Sequence, residues 1–226
     1  MPAMSLQIAP ERASSHSLGF NLAGIAALVL LGAVGAAYLI DSLGRGARVI
    51  PPSLADGNTI SQTISGQELS IPTAWFRHGE QIKPGFTNQI DLRVMFQPEP
   101  EIAPLPVDVA LVPRSRARTS AVLLDTVYLH QFGDEMVQGV PGLVGKPMGK
   151  NNGYEGETVW YDALSPNPFV AKCVEPVAPG ASSQCMRTVY LSSGIAATYA
   201  FDATALQSWR QFDAEMERWL TEIGAW

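Results

Sequence analysis

Cys173 and Cys185 are the whole thiol complement of this 226-residue chain, with eleven residues between them. Thiolates can hold a metal, cycle through redox states or close a bridge. Two of them cannot fill a four-cysteine zinc site, and the spacing is neither C-x-x-C nor C-x-x-C-H. His78 and His130 lie far away in sequence and in no paired spacing. The residues on either side, 169–174 and 185–191, read as strands, and VEPVAPGASSQ between them has Pro176, Pro179 and Gly180 but no core of its own. Across an antiparallel pair the Cα atoms lie about 4.5–5.5 Å apart, within disulfide range. Closing a loop of this length stabilises by roughly 3 kcal/mol on the chain-entropy account. A structural disulfide between Cys173 and Cys185 is therefore the expectation, with buried free thiols as the alternative.

The other chemistry-bearing residues are less pointed. AWFRHGEQ, 74–81, gathers Trp75, Arg77, His78 and Glu80. Such a group can bind a carboxylate or phosphate, with Arg77 as the fork and His78 as proton donor. The plainer reading is a strand end whose tryptophan enters the core. GLVGKPMGKNNGYEG, 142–156, carries Lys146 and Lys150 among glycines. A nucleotide-phosphate loop would need glycine where Val144 sits and Ser or Thr where Asn151 sits. What remains is a surface loop whose lysines can contact an anion. Arg114, Arg116 and Arg118 share one face if extended, the pattern of a solvated hairpin tip or of a patch for lipid head groups. No G-x-S-x-G, H-E-x-x-H or paired-acid arrangement occurs, and no cofactor or metal is expected. A net charge of -6 argues against nucleic-acid binding, which needs a basic face.

The address of the chain is written more clearly than its chemistry. From residue 17 to residue 40 the sequence has no charge. Residues 18–40, if helical, extend roughly 34 Å at about 1.5 Å per residue, enough for a hydrocarbon core of about 30 Å. A cleaved signal peptide has a shorter apolar region, about 7–15 residues. An uncleaved anchor at 18–40 contacting the lipid bilayer is expected, behind a short segment 1–17. Flanking charges do not orient it, because Arg12 is offset by Glu11 and Arg45 and Arg48 stand behind Asp41. The cysteines do, since disulfides persist in oxidising compartments. The expected topology is 1–17 in the cytoplasm and 41–226 in the periplasm of an inner membrane.

The elements that must position these residues follow the anchor. Residues 41–58 are rich in Gly, Pro and small polar residues and read as a tether. An α+β domain is expected at 59–226, either one body or two lobes at 59–135 and 136–226. In NQIDLRVMF, Ile90, Leu92, Val94 and Phe96 alternate with Asp91, Arg93 and Met95, and VDVALV repeats the pattern. Residues 97–106 hold four prolines and cannot be a ladder strand. The β-branched and aromatic residues of 120–132 suggest another strand, with PRSRART as a hairpin loop before it. ETVWYDAL, FVAKCV, CMRTVYL and IAATYAF then read as a β-meander. The rest, from Asp202 as N-cap, reads as a helix with Trp209, Phe212, Met216, Trp219, Leu220 and Ile223 on one stripe.

In layout the chain resembles the single-pass, membrane-anchored envelope proteins of Gram-negative-type bacteria: a short start, one anchor helix and a disulfide-bearing α+β domain. The resemblance is one of organisation and implies no activity. The expected function is a non-catalytic extracytoplasmic protein that binds a protein partner or assists an assembly in the envelope. The alternative is a periplasmic enzyme or anion-binding domain using the cluster at 75–80.

Overall fold

The computed structural model describes residues 16–46 and 51–226 except 150–152, 154, 177 and 179, and, within the first helix, the side chains of 22–38. Residues 1–15, the 47–50 part of the expected tether and Lys150 lie outside the described residues. The chain divides into two compact units, 1–50 and 51–226.

The first unit holds helix α1, His16–Gly46, which continues six residues past the expected end of the anchor. Leucine and alanine favour the helix, and no proline interrupts it. Every side chain described in it is exposed, including Leu28 at 71% and Leu31 at 69%. These described side chains number 17, short of the roughly 20 that a membrane span takes. Among the described residues, no helix is long and apolar enough to cross a membrane. The expected span at 18–40 runs past both ends of that stretch.

The second unit is α+β and mainly antiparallel. It opens on a hairpin, β1 Thr59–Ile64 and β2 Gln67–Pro72. Ser65 and Gly66 between them both have positive φ, 55° and 83°, the two-residue turn whose twist matches paired strands. A two-residue strand, β3 Gly85–Phe86, adds in parallel to β1 and completes a small sheet of order β2-β1-β3. Residues 51–58 are not the free tether expected. The Trp75 indole N–H donates to Ser53 O at 3.0 Å, Thr73 N–H donates to Asn58 O at 2.7 Å, and Leu54 packs against the core.

The large sheet has the order β4-β5-β10-β9-β8-β7-β6, each neighbour antiparallel. Its strands are β4 Ile90–Phe96, β5 Leu105–Pro113, β6 Val144–Pro147, β7 Glu157–Tyr161, β8 Val170–Val174, β9 Gln184–Tyr190 and β10 Ile195–Asp202. After the β4–β5 hairpin the chain crosses to the far edge and returns as the meander β6 to β10, so that β10 closes against β5. The crossing corrects one expectation. Residues 120–126 form helix α2, Ser120–Thr126, rather than a strand. Thr119 caps it by accepting from Val122 N–H at 3.3 Å, and Ala121 and Leu124, spaced for a helix face, pack with Val159 and Val170 of the sheet. PRSRART is accordingly no hairpin loop but a short 3-10 turn leading into that helix. The glycine-rich run at 142–156 is likewise not all loop, because 144–147 is the edge strand β6.

The last element is helix α3, Trp209–Glu222, entered through a 3-10 turn. Asp202 caps that turn, accepting from Thr204 N–H at 2.8 Å. Burial alone would raise its pKa, but hydrogen bonds from Ser182 and Thr204 outweigh that and hold it below the ordinary value. The cap's contribution is complete above the ordinary carboxylate range and is lost as pH falls through the lowered value. Phe212, Met216, Trp219, Leu220 and Ile223 are all buried. They share one core with Ile64, Leu69 and Ile71 of the small sheet and with Ile90, Leu92, Val94 and Phe96. The end of α3 is tied to β2, with Ser70 N–H donating to Ile223 O at 3.2 Å.

Gly145 on β6 is the tightest backbone approach. A Cβ there would stand 2.7 Å from the Trp160 ring and 2.8 Å from Val137 O. Gly145→Ala should therefore destabilise by about 1–3 kcal/mol, read as a lower urea midpoint. An unchanged midpoint would show that the β6 edge yields freely.

Candidate functional site

The residues of the alternative cluster at 75–80 go to different surroundings. Trp75 is fully buried, its ring 4.8 Å from that of Trp219. Arg77 Nη2 lies 3.1 Å from Asp108 Oδ2, and Arg93 Nε donates to Asp108 Oδ1 at 2.7 Å, so one carboxylate holds two guanidinium groups. His78 and Glu80 are exposed. Lys146 sits on β6, where Nζ donates to Asp134 O at 3.4 Å. Arg77 N–H bonds to Asp91 on β4, and β4 and β6 are opposite edges of the seven-stranded sheet. Six strand steps at about 4.8 Å put them roughly 29 Å apart. Of the arginine triplet, Arg114 lies 4.2 Å over the Tyr190 ring and Arg116 donates to Asn88 O.

Cys173 and Cys185 are bonded to each other. They stand directly opposite in the β8–β9 ladder and are 4% and 1% exposed. A bond so enclosed is shielded from exchange, and its role is to clamp the two strands.

The ladder next to that clamp is short. β8 and β9 pair only at Lys172↔Met186, Cys173↔Cys185 and Val174↔Gln184. Beyond Met186 the strands part, although β9 stays paired to β10 through Tyr190. Side chains satisfy the backbone groups that a longer ladder would have used. Ser120 Oγ accepts from Thr188 N–H at 2.9 Å, and Arg187 Nη1 donates to Val170 O at 3.2 Å.

A cleft of about 490 Å³ opens at this parting, between the start of α2 and the face of α3. Strand alternation sorts its walls. Thr188 and Tyr190 face α2, where the Tyr190 hydroxyl donates to Ala117 O at 2.8 Å. Arg187 and Tyr199 are cross-strand partners and face α3. Arg187 is buried, yet none of its three nitrogens is idle. Nε and Nη2 donate to Asp213 at 2.9 and 2.6 Å, Nη1 holds Val170, and the guanidinium lies 4.4 Å over the Phe169 ring.

Tyr199 is 1% exposed, and its hydroxyl has no hydrogen-bond partner. Burial pushes its pKa up, Asp213 and Glu217 push it further, and Arg187 opposes them. The phenol stays protonated throughout the physiological range. Glu217, exposed on α3, makes no hydrogen bond or ion pair among the described residues. These groups can bind and orient a ligand; with the phenol protonated and Asp213 engaged by Arg187, they are poorly set up to move protons. Sequence reasoning missed this site. The parting of β8 and β9 has no local signature.

No family model matches the chain, and no curated protein matches it. Among solved structures it is similar to Smlt3025, an immunity protein of the Stenotrophomonas maltophilia type IV secretion system, at 10% identity and a TM-score of 0.50. The match covers 76% of this chain and 97% of that one. At this identity the likeness speaks for the fold alone.

Asp213→Ala would leave Arg187 buried and unpaired. The full cost of such a change is about 3–5 kcal/mol; Asp213 is half-exposed, so we expect about 2–3 kcal/mol by urea unfolding. Replacing both cysteines by serine should cost roughly 3 kcal/mol. Reducing agent should then have no further effect on that variant, and a wild-type midpoint for it would rule out a stabilising clamp.

Proposed function

We propose that this chain is a non-catalytic protein of the bacterial envelope, anchored by α1 in the inner membrane, whose 51–226 unit binds a protein partner in the periplasm. The observation that carries the reading is the chemistry of the cleft. Its buried cation is paired with Asp213, its phenol is held protonated and orphaned, and its walls come from four separate elements. That combination suits recognition, where fixed groups await a complement.

Three further features support it. α1 is apolar around its described circumference with every side chain exposed, the composition of a helix whose solvent is lipid. The buried disulfide suits an oxidising compartment, in keeping with an outward-facing 51–226. The fold is like that of a protein described as an immunity protein of a secretion system, in keeping with a partner-binding role.

Cross-linking in native envelopes, followed by purification of the detergent-solubilised full chain, should bring down one protein in near-stoichiometric amount. A chain recovered alone and monomeric would sink the partner-binding reading. In intact cells, Cys173 and Cys185 should resist alkylation until reductant is added, and protease should digest 51–226 in spheroplasts without lysis. Protection from that protease would reverse the orientation.

A further inference from the structure

The sheet's parting leaves one polar group unanswered, and its surroundings define what would answer it. We propose that the α3 side of the cleft receives the guanidinium or ammonium group of an arginine or lysine side chain carried by the protein partner. The inference rests on the partner-binding reading above.

Three observations converge on a cation. Tyr199 lines the cleft, and its buried hydroxyl lacks a partner, so its oxygen is free to accept from an N–H donor as its O–H is free to donate. Asp213 and Glu217 flank it on α3, against the single cation Arg187. Arg187 and Asp213 neutralise each other, and the carboxylate of Glu217 remains uncompensated. An anion is disfavoured here, because two carboxylates outnumber one guanidinium that is already paired with Asp213. Cations stand on the other side of the sheet, with Arg114 over Tyr190 and Arg118 next to Thr119. A positive group therefore enters from the α3 side.

The surroundings favour a side chain of a protein over a free small cation. The cleft is open to solvent, and Glu217 and Trp226 at its rim are held by no hydrogen bond among the described residues. Val122 on the wall is 43% exposed, and Leu164, in the turn leading to Asn167 of the cleft, is 96% exposed. Large exposed apolar groups around a polar recess make the composition of a protein interface. The stem of an arginine or lysine is apolar and its head charged, which matches the same order of surfaces.

Titration of the full chain in non-ionic detergent, followed by tryptophan fluorescence with Trp226 at the rim, tests this. The probes are acetyl-Gly-Arg-Gly-amide and its lysine, glutamine and glutamate counterparts. The arginine and lysine peptides should bind saturably, and the other two should not. Glu217→Gln should weaken the arginine peptide about three- to tenfold. Tyr199→Phe keeps the ring and removes only the hydroxyl, and should weaken it by a similar factor. Its melting temperature should be unchanged or higher, because an unsatisfied buried group is gone. Equal binding of the glutamine or glutamate peptide, or wild-type affinity in both variants, would overturn the inference. Tighter binding of agmatine than of the arginine peptide would overturn the protein source. If no peptide binds while cross-linking still captures an envelope protein, this inference falls and the partner-binding reading stands; peptide binding without a captured protein separates the two the other way.

Discussion

Phe212 is the contact around which the second unit closes. Its ring centroid lies 4.5 Å from Phe201, 5.2 Å from Phe96, 5.7 Å from Tyr199 and 6.2 Å from Phe169. Those four aromatics come from the β4 edge, from β10 in mid-sheet and from the entry to β8. They can meet one side chain only if β10 is inserted between β5 and β9 and α3 lies across the face. Aromatic pairs contribute about 0.5–1.5 kcal/mol each beyond the area they bury, so this one residue links strands far apart in the chain. Asp213 follows it immediately, and its position on α3 brings it to Arg187. Placement of the charged pair is a consequence of placement of the ring.

The same closure explains why the sheet's middle is the polar part of its α3 face. β5 and β10 pair across a separation of more than eighty residues, from Pro113↔Ile195 to Val107↔Phe201. The chain between them must cross to the far edge and come back, and α2 is the element that makes the crossing compact. α2 is only seven residues long, so it covers β7 and β8 and meets β9 through the Ser120–Thr188 hydrogen bond at its start. The ladder to β8 fails at Arg187 and Thr188 of β9, where Ser120 at the start of α2 takes the Thr188 N–H instead. A short crossover helix and an interrupted sheet are two aspects of one geometry.

Much of this architecture was legible locally. The alternation in 90–96 and 107–111, the meander from β7 to β10, the Asp202 cap and the α3 stripe are all patterns of period two or 3.6, and neighbours in sequence suffice to set them. The disulfide was legible because a hairpin brings Cys173 and Cys185 together. The misreading of 120–132 came from weighting β-branched residues over the Thr119 cap and the Ala121–Leu124–Tyr128 spacing, a case of helix-face packing outweighing propensity. The cluster at 75–80 looked like a site because four chemical types are adjacent. In the fold Trp75 turns inward, Arg77 turns to Asp108, and Lys146 belongs to the other edge. The cleft was not legible at all, since it depends on where two strands stop pairing.

That stopping point ties the disulfide to the cleft. Three residue pairs are a short ladder, and the middle pair is the disulfide itself. Without it, β8 and β9 could slip or fray, and a slip of one residue would turn Arg187 away from α3. With it, the register is fixed two residues from Arg187, and the fork always opens at the same place. Arg187 and Ser120 then hold the arms of the fork apart by satisfying Val170 O and Thr188 N–H. The opening has a covalent closed end and walls that are already hydrogen-bonded, so the cleft is preordered. The bond therefore does more than suit an oxidising compartment. It sets the position of the cleft.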